Sequence, residues 1–536
     1  MKRRDLLKHL GLGSAAMGLP LTSQALLLPR DYRGIVPEIY ASAPTPPAHT
    51  RAIIIGSGFG GSISALRLAQ AGIQATVLER GFAWPNDPTR EIFTQDTLPD
   101  GRGFWFRDTS KTVFGLPGLP VDRFGGVVDV TEYDNMDVWR GACVGGGSVV
   151  FTGVMIQPQQ RYFDALFGGT VSYAEMNATY YPRVRQMLQL SPMPSDVYNA
   201  GPFAHSRRWD SDVRKAGYTP TRVDGIWNWN VVRQELAGSS RPSCTVGLSN
   251  LGNSNGAKFD LNQNYLKQAK ATGLVGVYPG HEVRRIYRDG TRYLLEVVKR
   301  SPDGTLLASY NLTCDMLFLA AGSIGTSELL VRAKARGDLP LLNEHVGQGW
   351  GTNGDSAVAR VGAFDLGLTT GSACASMIHD TRGGQPVTLE NWYAPGVPLS
   401  VGLGASLGMT FDTTNRGSFA YDAVNDRARL LWSATGNNDA IAATRAVNNR
   451  VALWSLTVPA YAPPLVSDVY AGFTAHPLGG AVLGKATDAY GRVRNYPNLY
   501  VMDGAAIPGS TGTVNPSLTI SALAERNIER IIAAGG

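Results

Sequence analysis

Arg51-Ala-Ile-Ile-Ile-Gly56-Ser-Gly58-Phe59-Gly60-Gly61 runs a short apolar strand directly into a G-x-G-x-x-G turn. That order is built for a dinucleotide. Gly56 permits the tight turn, Gly58 lets the backbone approach the pyrophosphate, and Gly61 lets the next helix pack close to its strand. The phosphates then sit at the positive end of that helix. The flanking sequence agrees: residues 62–71 carry Ile63, Leu66 and Leu68 at helical spacing, Gly72 stops the helix, and Gln74-Ala-Thr-Val-Leu-Glu79 is a second strand. Glu79 ends that strand about twenty residues on, where an acid binds the ribose hydroxyls of an adenine nucleotide.

Two later segments return to the same sheet. Asp315-Met-Leu-Phe-Leu-Ala320 is an apolar strand, Ala321-Gly-Ser-Ile-Gly325 a small-residue turn, and 326–335 a helix. Asn498-Leu-Tyr-Val-Met-Asp503-Gly504 is a strand finishing in an acid and a glycine, and 518–532 is a long amphipathic helix, apolar at Ile520, Leu523, Ala524, Ile528 and Ile531. A second glycine cluster, Gly141-Ala-Cys-Val-Gly145-Gly146-Gly147-Ser148, could press against a flat ring; on composition alone it reads equally as a surface turn.

At 536 residues the chain exceeds the length at which one core keeps growing, so two interleaved domains are expected. The net charge of +6 partly reflects basic residues at the extreme N-terminus, and no later Lys/Arg block is interleaved with aromatics, which argues against nucleic-acid binding. Met1-Lys-Arg3-Arg4-Asp-Leu-Leu-Lys8, a weakly apolar stretch to Leu21, and Ser23-Gln-Ala25 read as a twin-arginine export signal over 1–25. The competing reading is a basic amphipathic helix, which the glycines and Pro20 disfavour. A linker over 26–48 follows, with its Pro-rich end at 41–48. No later apolar run is long enough to span a bilayer, so the mature chain is expected to lack an integral membrane segment. Cys143, Cys244, Cys314 and Cys374 lie far apart and form no metal or redox motif.

Taken together, these segments resemble the glucose-methanol-choline (GMC) family of flavoenzymes, and within it the bacterial cholesterol oxidases with noncovalent FAD. The resemblance runs over nearly the whole chain after the linker. Its most specific parts are Trp139-Arg-Gly-Ala-Cys-Val-Gly-Gly-Gly-Ser148, Phe318-Leu-Ala-Ala-Gly-Ser-Ile-Gly325 with Glu328-Leu-Leu-Val-Arg332, Val346-Gly-Gln-Gly-Trp-Gly-Thr-Asn353-Gly, and His476-Pro-Leu-Gly-Gly through to Asn515-Pro516. It implies an α/β protein: a Rossmann-like FAD domain assembled from 49–83, 259–349 and 490–536, with an α+β substrate domain on an antiparallel sheet from 84–258 and 350–489. FAD would be bound by Gly56, Gly58, Phe59, Gly60, Gly61, Glu79, Gly145, Gly146, Gly147, Ser148, Val283, Gly322, Asp503, Gly504 and Asn515.

By matching position, the resemblance puts His476 and Asn515 at the reactive face of the flavin. Alcohol oxidation by a flavin needs a group to accept the hydroxyl proton, and a His titrates in the right range. Asn515 would orient the alcohol oxygen or polarise the flavin. The implied activity is an exported oxidase of a bulky, sterol-like secondary alcohol with oxygen as acceptor. The alternatives are a dehydrogenase of a non-steroid alcohol that passes electrons to a quinone or cytochrome, and a flavin-containing binding protein without chemistry. Departures from the family pattern are Ala475, Ser517 and Phe151, and the absence of a carboxylate in 398–409, where the cholesterol oxidases carry a glutamate base that moves the steroid double bond. Glu390 lies upstream, across Pro-Gly-Val-Pro, and is not expected to replace that base. A sterol product would then leave unconjugated.

Overall fold

The computed structural model describes residues 30–41, 44–113, 118–362, 370–392, 403–461 and 472–535. The export-signal reading over 1–25 lies outside them, as do residues 398–402 of the segment without a carboxylate.

A seven-stranded sheet organises the nucleotide side. Its strands run in the order Val275–Pro279, Ala75–Glu79, His49–Ile55, Leu306–Leu319, Arg292–Arg300, His281–Asp289, with Leu499–Val501 pairing on Leu306–Leu319. The apolar runs explain the centre. Parallel strands covered on both faces cannot alternate apolar with polar residues, and Ile53, Ile54, Leu317, Phe318 and Leu319 are all fully buried. Register follows: Ile53 lies opposite Leu317 on one side and Thr76 on the other, and Leu317 lies opposite Leu499.

The strand expected at 315–320 is the last part of a 14-residue strand, Leu306–Leu319. Its first half alternates exposed and half-buried residues and pairs antiparallel with Arg292–Arg300, so the apolar run marked only the portion inside the parallel core. The helix Phe59–Gln70 packs against the C-terminal helix Ser517–Ala533. There Arg67 pairs in bidentate fashion with the fully buried Glu525, both bonds 2.7 Å, and the Tyr265 hydroxyl donates to the same carboxylate at 2.7 Å. An uncompensated Glu525 would be costly at that depth, so the three side chains hold one another.

A second, six-stranded sheet is antiparallel throughout: Val458–Ala460, Ser356–Val361, Leu403–Thr410, Val387–Asn391, Ser376–Asp380, Thr221–Arg222. The protein is thus α/β, with a Rossmann-like sheet and a separate antiparallel sheet. A three-stranded sheet joins Gly472–Thr474 in parallel to Met136–Gly141, which pairs with Val128–Tyr133. Within the stretch read as linker, Tyr32 is buried and its hydroxyl donates to Asp122 at 2.6 Å, because two 3-10 turns, Tyr32–Gly34 and Pro37–Tyr40, fold that part onto the body. All four cysteines are buried and unpaired. No helix among the described residues is long and apolar enough to cross a membrane.

Candidate active site

The first turn shows what each glycine does. At Gly56, with φ +97°, an added Cβ would lie 2.3 Å from the Ala320 carbonyl oxygen; at Gly60 it would lie 1.7 Å from that of Met502, and at Gly61 2.0 Å from that of Gly56. These three glycines let strand, turn and helix touch. Gly58 differs: it has an ordinary φ of −69°, caps the helix Phe59–Gln70, and would project a Cβ into open space. The empty volume above it is the cradle a phosphate would fill, beside backbone N–H groups that no helical carbonyl satisfies.

Ser57 ties the two glycine clusters together. Its backbone N–H and hydroxyl both donate to Glu79 Oε2, at 3.0 and 2.7 Å, while Gly81 N–H donates to Oε1 at 2.9 Å. The Gly145 N–H donates in turn to Ser57 Oγ at 3.1 Å, and a Cβ on Gly146 would come within 2.8 Å of Gly58 Cα. The second cluster is therefore packed on the first and is no surface turn. A carboxylate accepts about four hydrogen bonds, so Glu79 retains capacity for a ribose hydroxyl.

A cleft of about 2120 Å³, part of it open to solvent, runs along these elements and is lined by Gly56, Gly58, Phe59, Gly60, Glu79, Gly146, Gly147, Val283, Gly322, Asp503, Gly504, His476 and Asn515. Three residues expected to contact the cofactor do not line it. Gly61 is buried behind the turn against Gly56. Gly145 faces the Asn262 side chain, 2.8 Å from where its Cβ would be. Ser148 is fully buried, its hydroxyl donating to the Gly145 carbonyl at 2.7 Å and accepting from the Leu261 N–H at 3.1 Å. These three hold the backbone that forms the cradle. On the opposite wall, Asp503 Oδ2 accepts from the Gly322 N–H (2.9 Å) and the Thr326 hydroxyl (2.6 Å), and Oδ1 from the Ala505 N–H (2.8 Å). Burial pushes the Asp503 carboxyl up to about 6.

At the far end of the cleft, the strand Gly472–Thr474 delivers His476, whose Nδ1 is 2.7 Å from Asp355 Oδ1. Asn515 arrives on the loop before the C-terminal helix. Asn353, in the left-handed region at φ +59°, braces that loop: its amide donates to the Val514 carbonyl at 2.8 Å and its oxygen accepts from the Thr511 N–H at 2.9 Å. One short turn therefore holds both residues, Asn353 through 511–514 and Asp355 through His476. Burial alone would lower the His476 pKa, but the Asp355 carboxylate, hydrogen-bonded to the ring, and Glu390 together raise it above its ordinary value.

Glu390, which the sequence set apart from the site, lies beside Asn515. It sits on the strand Val387–Asn391, fully buried, and Oε2 accepts from Asn515 Nδ2 at 3.4 Å. Burial pushes its carboxyl up to about 7, against the lowering effects of His476 and Asn515. Oε1 of Glu390 and Oδ1 of Asn515 are both buried without a partner, two orphaned acceptors that a bound group would satisfy. The strand Val387–Asn391 places Glu390 against Asn515, a contact that its position upstream of the 398–409 segment does not reveal. Asp355 was also missed, although it comes directly after the Val346–Gly354 motif. The lining also includes Val113, Val150, Phe151, Trp392, Leu407 and Phe473, of which Trp392, Leu407, Val113 and Phe473 pack together, while Phe59 and Phe151 meet edge to face at 5.7 Å.

Comparison with known proteins bears on this arrangement. Residues 421–524 match the GMC oxidoreductase family model. A cholesterol oxidase of Acinetobacter baumannii is 26% identical, covering 90% of this chain and 94% of that protein, and a cholesterol oxidase of Mycobacterium tuberculosis is 28% identical, covering 88% and 89%. Among solved structures, a formate oxidase superposes with a TM-score of 0.62 at 14% identity over 92% of this chain and 99% of that one. Pyridoxine 4-oxidase superposes with a TM-score of 0.60 at 16% identity over 90% and 99%.

Proposed function

We propose that the chain, which matches the GMC oxidoreductase family model over residues 421–524, is an FAD-dependent GMC oxidoreductase that oxidises a bulky, sterol-like secondary alcohol to the ketone. The observation carrying this reading is that His476 and Asn515 line the same cleft as the Gly58 cradle, and that both act on the buried Glu390 carboxyl. The Gly56–Gly61 turn, Glu79, Gly146, Gly147 and Asp503 would hold FAD, which when bound supplies the acceptor for the hydride of the carbinol carbon.

His476 accepts the hydroxyl proton, with the Asp355 carboxylate behind its ring. Asn515 orients the alcohol oxygen. The aromatic and aliphatic wall favours a large apolar body over a small polar alcohol, since burial of apolar surface contributes about 25 cal/mol per Å². For a 3β-hydroxy-5-ene sterol, Glu390 has the burial and the raised pKa to carry the proton that moves the double bond into conjugation. Oxygen is the proposed acceptor, and the two arginines Arg3 and Arg4 support export by the twin-arginine route. The relatives named cholesterol oxidase favour a sterol over other alcohols. An anaerobic screen tests the reading: sterols should bleach the oxidised flavin band, and failure of every sterol and secondary alcohol to do so would overturn it. Hydrogen peroxide formed in step with turnover would support oxygen as acceptor.

A further inference from the structure

We infer that Asp355 is a positioning residue that locks His476 with its proton on Nδ1, so that Nε2 is the basic atom offered to the substrate. The inference rests on the reading of His476 as proton acceptor. Asp355 is buried, and its carboxylate gathers three donors: His476 Nδ1 at 2.7 Å on Oδ1, with the Ala475 N–H at 3.0 Å and the Thr474 hydroxyl at 2.9 Å on Oδ2. The His476 N–H donates to Thr474 Oγ at 2.9 Å, so the same carboxylate braces the strand end and the ring it carries.

A neutral imidazole has one N–H, and a carboxylate can only accept. Facing the Asp355 carboxylate, Nδ1 must be the donor, and the lone pair falls on Nε2. The alternative tautomer would set the Nδ1 lone pair against the carboxylate oxygen inside a site with little water to screen it. Once Nε2 takes up the substrate proton, the imidazolium lies against a fixed negative charge, which favours the transfer. The substitution Asp355→Asn reverses this logic. The amide would have one acceptor oxygen for three donors, and turning that oxygen to Ala475 and Thr474 would present its NH₂ to Nδ1. The ring would then carry its proton on Nε2 and have no base to offer.

Nothing in this arrangement requires Asp355 to touch the alcohol or the cofactor. The charged or titratable groups that act on the ring are Asp355 itself and Glu390. Removing the Asp355 charge leaves burial, which lowers the His476 pKa, and the more distant Glu390, which raises it. The net shift is therefore downward.

The test uses the full-length holoenzyme with ¹⁵N-labelled histidine. There are seven histidines, and the His476 signals are assigned by their loss in His476→Gln. In the unaltered protein at alkaline pH, Nδ1 should be protonated and Nε2 bare. In Asp355→Asn the proton should move to Nε2 and the ring pKa should fall, with flavin content retained. Flavin reduction by a saturating alcohol should slow by about 10²–10⁴-fold with alcohol affinity little changed, the range seen when a base is held in the wrong tautomer, and Asp355→Glu should restore part of the rate. A protonated Nε2 in the unaltered protein would overturn the inference, and this reading needs no variant to fold. A tautomer switch in Asp355→Asn without loss of rate would support the positioning role while removing His476 as the base.

Discussion

The side-chain amide of Asn515 donates to the Glu390 carboxylate at 3.4 Å, joining the loop before the C-terminal helix to the strand Val387–Asn391 of the antiparallel sheet. That contact brings an acid to the chemical end of the cleft from 125 positions away. Burial of that carboxyl, against the opposing pull of the Asn515 contact, sets a stability term with a definite sign. The carboxyl is raised from 4.5 to about 7, so folding favours its neutral form. Its contribution is fully present below about pH 4.5 and is lost as pH rises through 7. Glu390→Gln should remove that loss, and thermal unfolding from pH 4.5 to 7.5 should show a flatter profile for the variant than for the parent. Parallel profiles would contradict the burial of an ionisable Glu390.

The same substitution separates two reactions. Given a 3β-hydroxy-5-ene sterol, the parent should release the conjugated 4-en-3-one, and Glu390→Gln should release mainly the 5-en-3-one, with flavin reduction slowed far less than isomerisation. Ultraviolet absorbance at early times distinguishes the two products. Rapid conjugation by the variant would assign the proton shuttle elsewhere.

His476→Ala should keep its flavin and lose about two to four orders of magnitude in the rate of flavin reduction, the usual contribution of a positioned acid-base group. Stopped-flow absorbance under anaerobic conditions measures it. A loss smaller than tenfold would remove His476 from proton transfer.

Gly58→Val offers a clean separation of fold from cofactor. The backbone φ is ordinary and the new side chain meets no protein atom at Cβ, so the apoprotein should fold with its secondary structure intact. The isopropyl group would occupy the phosphate cradle, and purified protein should carry little or no FAD, read as the ratio of flavin to protein absorbance. Full loading would move the phosphates elsewhere.

Export should depend on the arginine pair. Replacing Arg3 and Arg4 together by Lys should leave an active, flavin-loaded enzyme in the cytoplasm, measured by fractionation of activity. Unchanged export of that variant would show that another signal is read.

The nucleotide cradle could be read from the sequence because its determinants are local. A glycine forced to positive φ at 56, close backbone approaches at 60 and 61, and uninterrupted apolar strands on either side are properties of short segments, and each leaves a pattern that survives any arrangement of the rest. His476 and Asn515 were reachable only through resemblance, since neither has a spacing that marks it. Asp355 and Glu390 were decided by tertiary structure alone. Their roles come from which groups lie against a carboxyl and how far water is excluded from it, and those are set by a turn and a strand 121 and 125 residues from their partners, brought there by sheet pairing and loop bracing. The same distance in the fold sorted the predicted cofactor glycines, because whether a Gly faces a ligand or a neighbouring backbone depends on the element packed over it: open space above Gly58, the Asn262 side chain over Gly145.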